Sequence, residues 1–506
     1  MHNRVVRTTA AVGLLLGAGM RANAGDATAQ FVVVDETGQR IGQVAADGSE
    51  ASAHAQGSQS LGAPRNGDLW VYTHATSIPA SVSVGAVDTS WAGVELNVER
   101  LLTFDTFGDG TPAWEASYEE FNPPFVGVAA SEQSDFALAV TSVGDPSTIQ
   151  VQAFDSTSPA ALWTYTFDSP YTSAGSRTID VSRDGSTAVA VASDFGALVS
   201  RLVVFNQLDG SEAAVYDYDF TVSAVYLSMD GSRAMLTAGA TARLIDVPTG
   251  VEIASATASG TGGTHRMSAD GSTFGVGGFN LLLYREIDGV FEQVYSESES
   301  TQWYGNAIAF SSDGHYAIAA SYNYLDYATL TYRIIDVEAG AELARTITQG
   351  IGGYQDVLTG AAVNDDGTVF GVSTWGLIAN EHPEVMFFDR DAEMIGSIDT
   401  PGSVFAMDMS SDGHIALSGS KSVHANVFGN GGDVPAYEVF VPPPPCDGDA
   451  NGDSLVDPLD TGFVLARFGC DVGTGDPDCD IADMNGDGLV DPLDVGYVLA
   501  RFGTCE

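Results

Sequence analysis

Two twelve-residue stretches carry oxygen-bearing side chains at alternating positions: DANGDSLVDPLD, residues 449–460, and DMNGDGLVDPLD, residues 483–494. A calcium loop takes side-chain oxygens from positions 1, 3, 5, 9 and 12 and a backbone carbonyl from position 7. The first stretch offers Asp449, Asn451, Asp453, Asp457 and Asp460, with the Leu455 carbonyl. The second offers Asp483, Asn485, Asp487, Asp491 and Asp494, with the Leu489 carbonyl. The spacing predicts two calcium ions, one per loop. Position 6 needs a sharp turn, which Gly488 provides and Ser454 does not, so the first site is expected to be the weaker. Position 12 is Asp in both loops, a shorter arm than the usual Glu.

A helix must follow each loop. Asp457 and Asp491 are suited to cap it, and Pro458 and Pro492 fall in the first turn, where proline is tolerated. The helices then read LDTGFVLARFG and LDVGYVLARFG. Leu459, Phe463 and Leu465 or Ala466 are expected to form one apolar face, repeated by Leu493, Tyr497 and Leu499 or Ala500. Gly469 and Gly503 are the expected stops. No helix is predicted before either loop. This doubled loop-and-helix pattern, over residues 447–503, resembles the type I dockerin. The resemblance implies a module that docks on cohesin-like proteins, assembling its cargo on scaffolds or cell surfaces. Partner choice in that family rests on loop positions 10 and 11 and on mid-helix residues. Here those are Pro458-Leu459, Pro492-Leu493, Leu465-Ala466 and Leu499-Ala500.

All four cysteines, Cys446, Cys470, Cys479 and Cys505, lie in this tail. An even count in one small module predicts two disulfides, with three connectivities open. No C-x2-C pair is present to favour zinc. The tail holds 14 acidic and two basic residues. That charge should loosen it without calcium.

Upstream runs a repeat, clearest at one turn: SRDGS (from Ser182), SMDGS (Ser228), SADGS (Ser268), SSDGH (Ser311), NDDGT (Asn364) and SSDGH (Ser410), with a degenerate SEQSD from Ser131. Asp or Asn can bond its own backbone there, and Gly takes the positive φ of a tight hairpin. Apolar runs such as TAVAVAS and HIALSGS follow and read as strands. A second hairpin comes after each first, as in VQAFDSTSPAALWTYTF and LLTFDTFGDGTPAWEASY. Two hairpins every 40–53 residues make a four-stranded unit, the period of a propeller blade. These turns resemble WD-repeat and YVTN-type propellers, and the outer hairpins resemble pyrroloquinoline-quinone-type repeats. There is no regular Trp-Asp dipeptide. The expected class is mainly β, an eight-bladed propeller with seven blades as the alternative, followed by a small α dockerin-like module. Trp114 and Trp163 share one outer-hairpin position, which predicts blade packing. His315 and His414 are expected at surface hairpin tips.

The first 24 residues have the form of a secretory signal, with Arg4 and Arg7 before an apolar run and Ala22-Asn23-Ala24 as the cleavage site. A segment over 25–79 follows, in which residues 31–44 read as a further hairpin that either pairs with the ring or stands apart. The propeller is placed at 80–440, a proline spacer at 441–445 and the calcium-binding tail at 446–506. No later run is long and apolar enough for a membrane span. Cleavage would leave 16 basic residues against 67 acidic, a net charge of about −51. Such a field repels nucleic acid. No G-x-S-x-G elbow, H-E-x-x-H or Walker loop occurs. The expected protein is secreted, on the cell surface or periplasmic. Its tail docks to a cohesin-like or cell-envelope protein, and its propeller, without catalysis, recognises a protein or glycan. The alternatives are a propeller enzyme of hydrolase, lyase or lactonase type delivered to polysaccharide, and a cation-bridged surface-layer component.

Overall fold

The computed structural model describes residues 30–34, 40–45, 67–85, 88–95, 99–118, 126–143, 148–260, 263–299, 301–305, 307–349, 357–376, 382–424, 431–441, 448–450, 455–470, 477–485 and 488–504. The chain divides into two compact units, 1–59 and 60–506. In the first, Gln30–Val34 pairs antiparallel with Arg40–Ala45, Phe31 opposite Val44. Among the described residues these strands pair only with each other, so this hairpin belongs to no propeller sheet. The signal-like segment lies outside the described residues.

Among the described residues eight antiparallel propeller sheets follow, six of them built from four successive strands with short turns. Blades 1 to 7 span 78–118, 126–166, 179–218, 224–257, 265–297, 308–349 and 358–398. Blade 6 carries an extra short strand, Gln302–Trp303, on Tyr316–Asn323. Blade 8 takes Val404–Met409, Ile415–Lys421 and Gly432–Glu438, and borrows its outermost strand, Asp68–His74, from the start of the propeller. The ring is therefore closed by hydrogen bonds between chain segments more than 350 residues apart, with Val71 opposite Pro435. The segment assigned to 25–79 thus contributes a propeller strand.

The second and third strands of several blades are buried on both faces, since blades stack face to face. Ala188–Asp194 and Val199–Phe205 accordingly read as almost continuous apolar runs. Between blades 3 and 4, Val189, Val191 and Leu202 pack against Val225, Leu236 and Ile245. The outermost strands face solvent on one side and alternate, as Ala341–Gln349 does.

The repeated turn has one construction. In blade 4 the Ser228 hydroxyl donates to Asp230 Oδ1 (2.7 Å), which accepts the Ser232 N–H (2.9 Å). The Arg233 N–H closes back on Ser228 Oγ (2.9 Å). Gly231 stands at φ +67, and a Cβ there would come 2.3 Å from Thr187 Oγ1 of the preceding blade. The turns also join the blades. Gln133 N–H donates to the Arg183 carbonyl, Arg183 to Met229, Met229 to Ala269, Asp270 to Ser312, Ser312 to Asp365 and Asp365 to Ser411. This belt ties blades 2 to 8 through the second or third residue of each turn.

The outer tryptophans lock the blades in the same rotary sense. Trp114 Nε1 donates to Ser156 O of blade 2 and Trp163 Nε1 to Gln207 O of blade 3, both at 2.8 Å. Trp70, on the closing strand, does the same to Thr106 O of blade 1 (2.8 Å). His315 sits partly exposed on its turn beside Asp313 and Glu338, as expected for a hairpin tip.

Among its described residues the tail has three helices: α1 (Pro458–Leu465), α2 (Pro477–Ala482) and α3 (Pro492–Leu499). Asp457 and Asp491 cap α1 and α3, each accepting the N–H two residues on (2.6 and 2.7 Å). Helix α2 corrects the expectation that no helix precedes the second loop. Pro477 sits at its first position, and it runs directly into Asp483. The apolar face also differs from expectation. The buried residues of α1 are Asp460 and Val464, and those of α3 are Asp494 and Val498. Leu459, Leu465, Leu493 and Leu499 are exposed. Each position-12 aspartate turns inward to close its loop, so the residue one turn on, a valine, is buried with it. The leucines then fall on the outer faces.

Candidate functional site

The tail core joins Ala450, Val456 and Val464 to Ala482, Val490 and Val498, with Phe463 and Met484 against it. This duplicated core brings the two loops back to back. Leu455–Val456 pairs with Gly503–Thr504, and the Gly469 N–H donates to Val490 O (2.9 Å). Cys470 and Cys479 are joined by a disulfide. Cys446 and Cys505 lie outside the described residues.

In the second loop Asp483 Oδ2 accepts the Gly488 N–H (2.8 Å), and Gly488 stands at φ +90. Asp494 is fully buried and accepts two backbone donors, Asn485 N–H at 3.1 Å and Asp491 N–H at 2.7 Å. These bonds tie the third and ninth positions to the twelfth, and the first to the sixth. In the first loop the equally buried Asp460 accepts the Asp457 N–H (2.8 Å). The Leu455 and Leu489 side chains are exposed. Asn451, Asp453 and Asp487 lie outside the described residues. Among the described residues, no three carboxylates of either loop lie within 4.8 Å of one another.

The donor set is all oxygen, which suits a hard cation, and a wholly buried carboxylate calls for a positive partner. The loop residues fit calcium on that ground.

The propeller's second feature is its central channel. Counting back two residues from the first residue of each repeated turn gives Ala129, Asp180, Tyr226, Arg266, Ala309, Ala362 and Asp408, all of which line it. That register was available in the sequence, through segments such as IDVSRDG and MDMSSDG, but only once the turns were fixed to innermost strands. One half of the channel holds a cavity of about 600 Å3 and the other about 320 Å3.

Four polar groups meet at the waist. Asp180 accepts the Val181 N–H at Oδ1 (2.9 Å) and the Leu227 N–H of the next blade at Oδ2 (2.6 Å). Burial pushes its carboxyl up to about 6. Asp408 accepts the Met409 N–H (3.0 Å) and reaches the Val84 N–H of blade 1 (2.8 Å), and burial pushes it up to about 7. The Arg266 guanidinium lies 4.1 Å over the Tyr226 ring and donates to its hydroxyl. Ser81 and Ser83 of blade 1 take the Val128 and Ala130 N–H groups of blade 2, both at 3.1 Å. Innermost strands expose unpaired N–H groups to the channel, and these acceptors cover them.

Two arginines cross the channel from blade 3 to blade 7. Arg177 reaches the Thr359 carbonyl (3.2 Å). Arg183 grips both Asp365 oxygens (2.7 and 2.8 Å) while its Nε bonds Glu132 (2.8 Å). Burial raises the Glu132 carboxyl despite that arginine. The waist carboxylates spend both oxygens on backbone donors, which makes the channel a polar binding cavity braced by its own charges.

No protein-family model matches the chain, and no curated protein does. Among solved structures, the C-terminal WD40 domain of Sif2 aligns with a TM-score of 0.51 at 12% identity, covering 71% of this chain and 96% of that one. This protein contains a WD40-like β-propeller. BamB from Moraxella catarrhalis aligns at TM-score 0.47 and 14% identity, over 73% of this chain and 99% of that one. The Cps50 (Swd1) β-propeller domain of Myceliophteria thermophila aligns at TM-score 0.42 and 14% identity, over 60% and 94%. No described helix is long and apolar enough to cross a membrane.

Proposed function

We propose that this is an exported calcium-binding protein whose dockerin-like tail, residues 446–506, docks a non-catalytic propeller to a cohesin-like or cell-envelope protein. The signal over 1–24 directs export, and the propeller recognises a protein or glycan. One observation carries the docking reading. The tail buries aspartate and valine and leaves Leu459, Leu465 and Phe468 exposed, and repeats this with Leu493, Leu499 and Phe502. Two copies of one apolar surface on a small acidic module mark a protein-binding face. They include loop position 11 and the mid-helix positions that the dockerin resemblance assigns to partner choice. Two calcium ions would hold the loops that aim these helices.

The channel supports the non-catalytic reading. Its carboxylates are engaged by backbone donors, and its charges brace blades. The enzyme alternative draws on the same waist, since Asp180 and Asp408 are acids tuned towards neutrality inside a cavity.

Calorimetric titration of the full chain with calcium tests the proposal. The expected result is two ions, with binding reduced to a single ion by Asp494→Asn. Leu465→Asp combined with Leu499→Asp should leave calcium binding intact and abolish calcium-dependent retention on cell envelope. Calcium binding that is absent, or unchanged by Asp494→Asn, would overturn the loop assignment. Unchanged retention of the leucine variant would overturn the docking face.

A further inference from the structure

On the face opposite the repeated turns, three metal-ligating side chains from two blades converge. Glu384 precedes Val385–Phe388 of blade 7, Asp399 follows Met394–Ile398 of the same blade, and His424 follows Ile415–Lys421 of blade 8. One ligand atom from each lies within 4.8 Å of the other two. We propose that Glu384, Asp399 and His424 form a binding site for a zinc-class divalent cation between blades 7 and 8.

Glu384 is wholly buried. Its Oε2 is held by the Thr400 N–H (2.9 Å) and hydroxyl (3.2 Å). Its Oε1 stands 3.0 Å from His424 Nε2, an ion-pair distance, and no aligned hydrogen bond satisfies either buried atom. Asp399 brings a second carboxylate to the same place. In a tetrahedral site with bonds of about 2.0–2.1 Å the ligand atoms stand about 3.3 Å apart. The Glu384–His424 pair needs only a few tenths of an ångström to open.

Charge argues the same way. Two carboxylates against one imidazole leave a net negative site even with the ring protonated, and a divalent cation would neutralise it. Imidazole with two carboxylates suits zinc or its first-row neighbours and not the all-oxygen ions of the tail. The Thr400 donors fix the Glu384 carboxylate from behind, as partners outside a metal's ligands do. Gly376 makes room: at φ +70, a Cβ there would stand 2.6 Å from Glu384 Oε1 and 3.0 Å from His424 Cδ2. Asp399 is exposed and gives the ion a way in.

The test uses the full chain in excess calcium, which occupies the tail. After dialysis against zinc chloride, metal is counted by mass spectrometry, and cobalt(II) in place of zinc reports nitrogen ligation by its visible bands. The expected result is a single zinc ion per chain, lost in Asp399→Asn and His424→Gln and kept in His315→Gln. Thr400→Val should weaken zinc roughly 10- to 100-fold. Asp399→Asn changes an exposed side chain, so it carries the test if the His424 variant misfolds. Zinc retention equal in wild type and Asp399→Asn, or none in the folded wild type, would overturn the proposal.

Discussion

Asp408 is a buried carboxyl whose proton should be measurable in the stability of the whole propeller. Burial raises its pKa from 3.8 to about 7, with Glu132 adding to the rise and the Val84 and Met409 N–H groups opposing it. Between pH of about 4 and 7 the folded chain therefore holds a proton that the unfolded chain has released. The stabilisation is fully present below the unfolded pKa and is lost as pH rises through about 7. At about 1.36 kcal/mol per unit, a rise of about three units makes the loss about 4 kcal/mol. Asp408→Asn is neutral at every pH. It keeps one carbonyl acceptor and turns an amide donor towards the other N–H, so it should fall about 1–3 kcal/mol below wild type at pH 4. Relative to wild type it should then gain about 4 kcal/mol by pH 8, and the order of stability should reverse. Unfolding entropy of about 2.1 cal/mol/K per residue over roughly 360 residues makes that gain about 5 °C in Tm. Thermal unfolding of both proteins from pH 4 to 8.5 measures it. Infrared spectra should show a protonated carboxyl band that titrates near neutrality in wild type and is weaker in the variant. A Tm difference that stays flat across this range, or a band gone by pH 5, would refute the reasoning.

Two further outcomes follow from the blade contacts. Trp163→Ala removes a ring packed against Phe205 at 5.1 Å and over Gly210, together with the bond to Gln207. It should cost about 3–5 kcal/mol, read from denaturant midpoints, and a change under about 1 kcal/mol would show that this ring does not lock the blades. Deleting residues 1–75 strips the closing strand and exposes the edge of Gly432–Glu438. The truncated chain should self-associate in size-exclusion chromatography, whereas a monomer with the parent Tm would show that closure is dispensable.

How much of this was legible in the chain depends on how local the signal is. Each repeated turn is written in five residues, because Ser, Asp and Gly satisfy one another within the hairpin and Gly alone takes the required φ. Six such turns therefore gave the blades and their period. The closing strand could not be read in that way. DLWVYTH has no turn of its own, and its partner is set by the ring's closure, a property of the entire propeller. The waist of the channel lies between these cases. Asp180, Tyr226, Arg266 and Asp408 occupy one register in the repeat, but only the fold shows that this register faces inward.

The tail shows why an apolar stripe can mislead. Periodicity assigns the most hydrophobic positions to the core, which selected the leucines of α1 and α3. In each helix one core position is instead held by an aspartate, Asp460 or Asp494, whose carboxylate turns inward to accept backbone N–H groups of its loop. That requirement rotates the helix by roughly a quarter to a third of a turn from the hydrophobic prediction, at about 100° per residue. Val464 and Val498 are then buried, and Leu465 and Leu499, each one residue further on, are turned outward. The displaced leucines do not leave the core without apolar side chains, since Val464 and Val498 are fully buried in it. A helix that commits its inner face to closing a loop leaves its long apolar side chains on the outer face. Under the proposed function the same two aspartates link ion binding to docking, and loss of calcium should remove the partner by releasing the helix orientation without touching the docking residues.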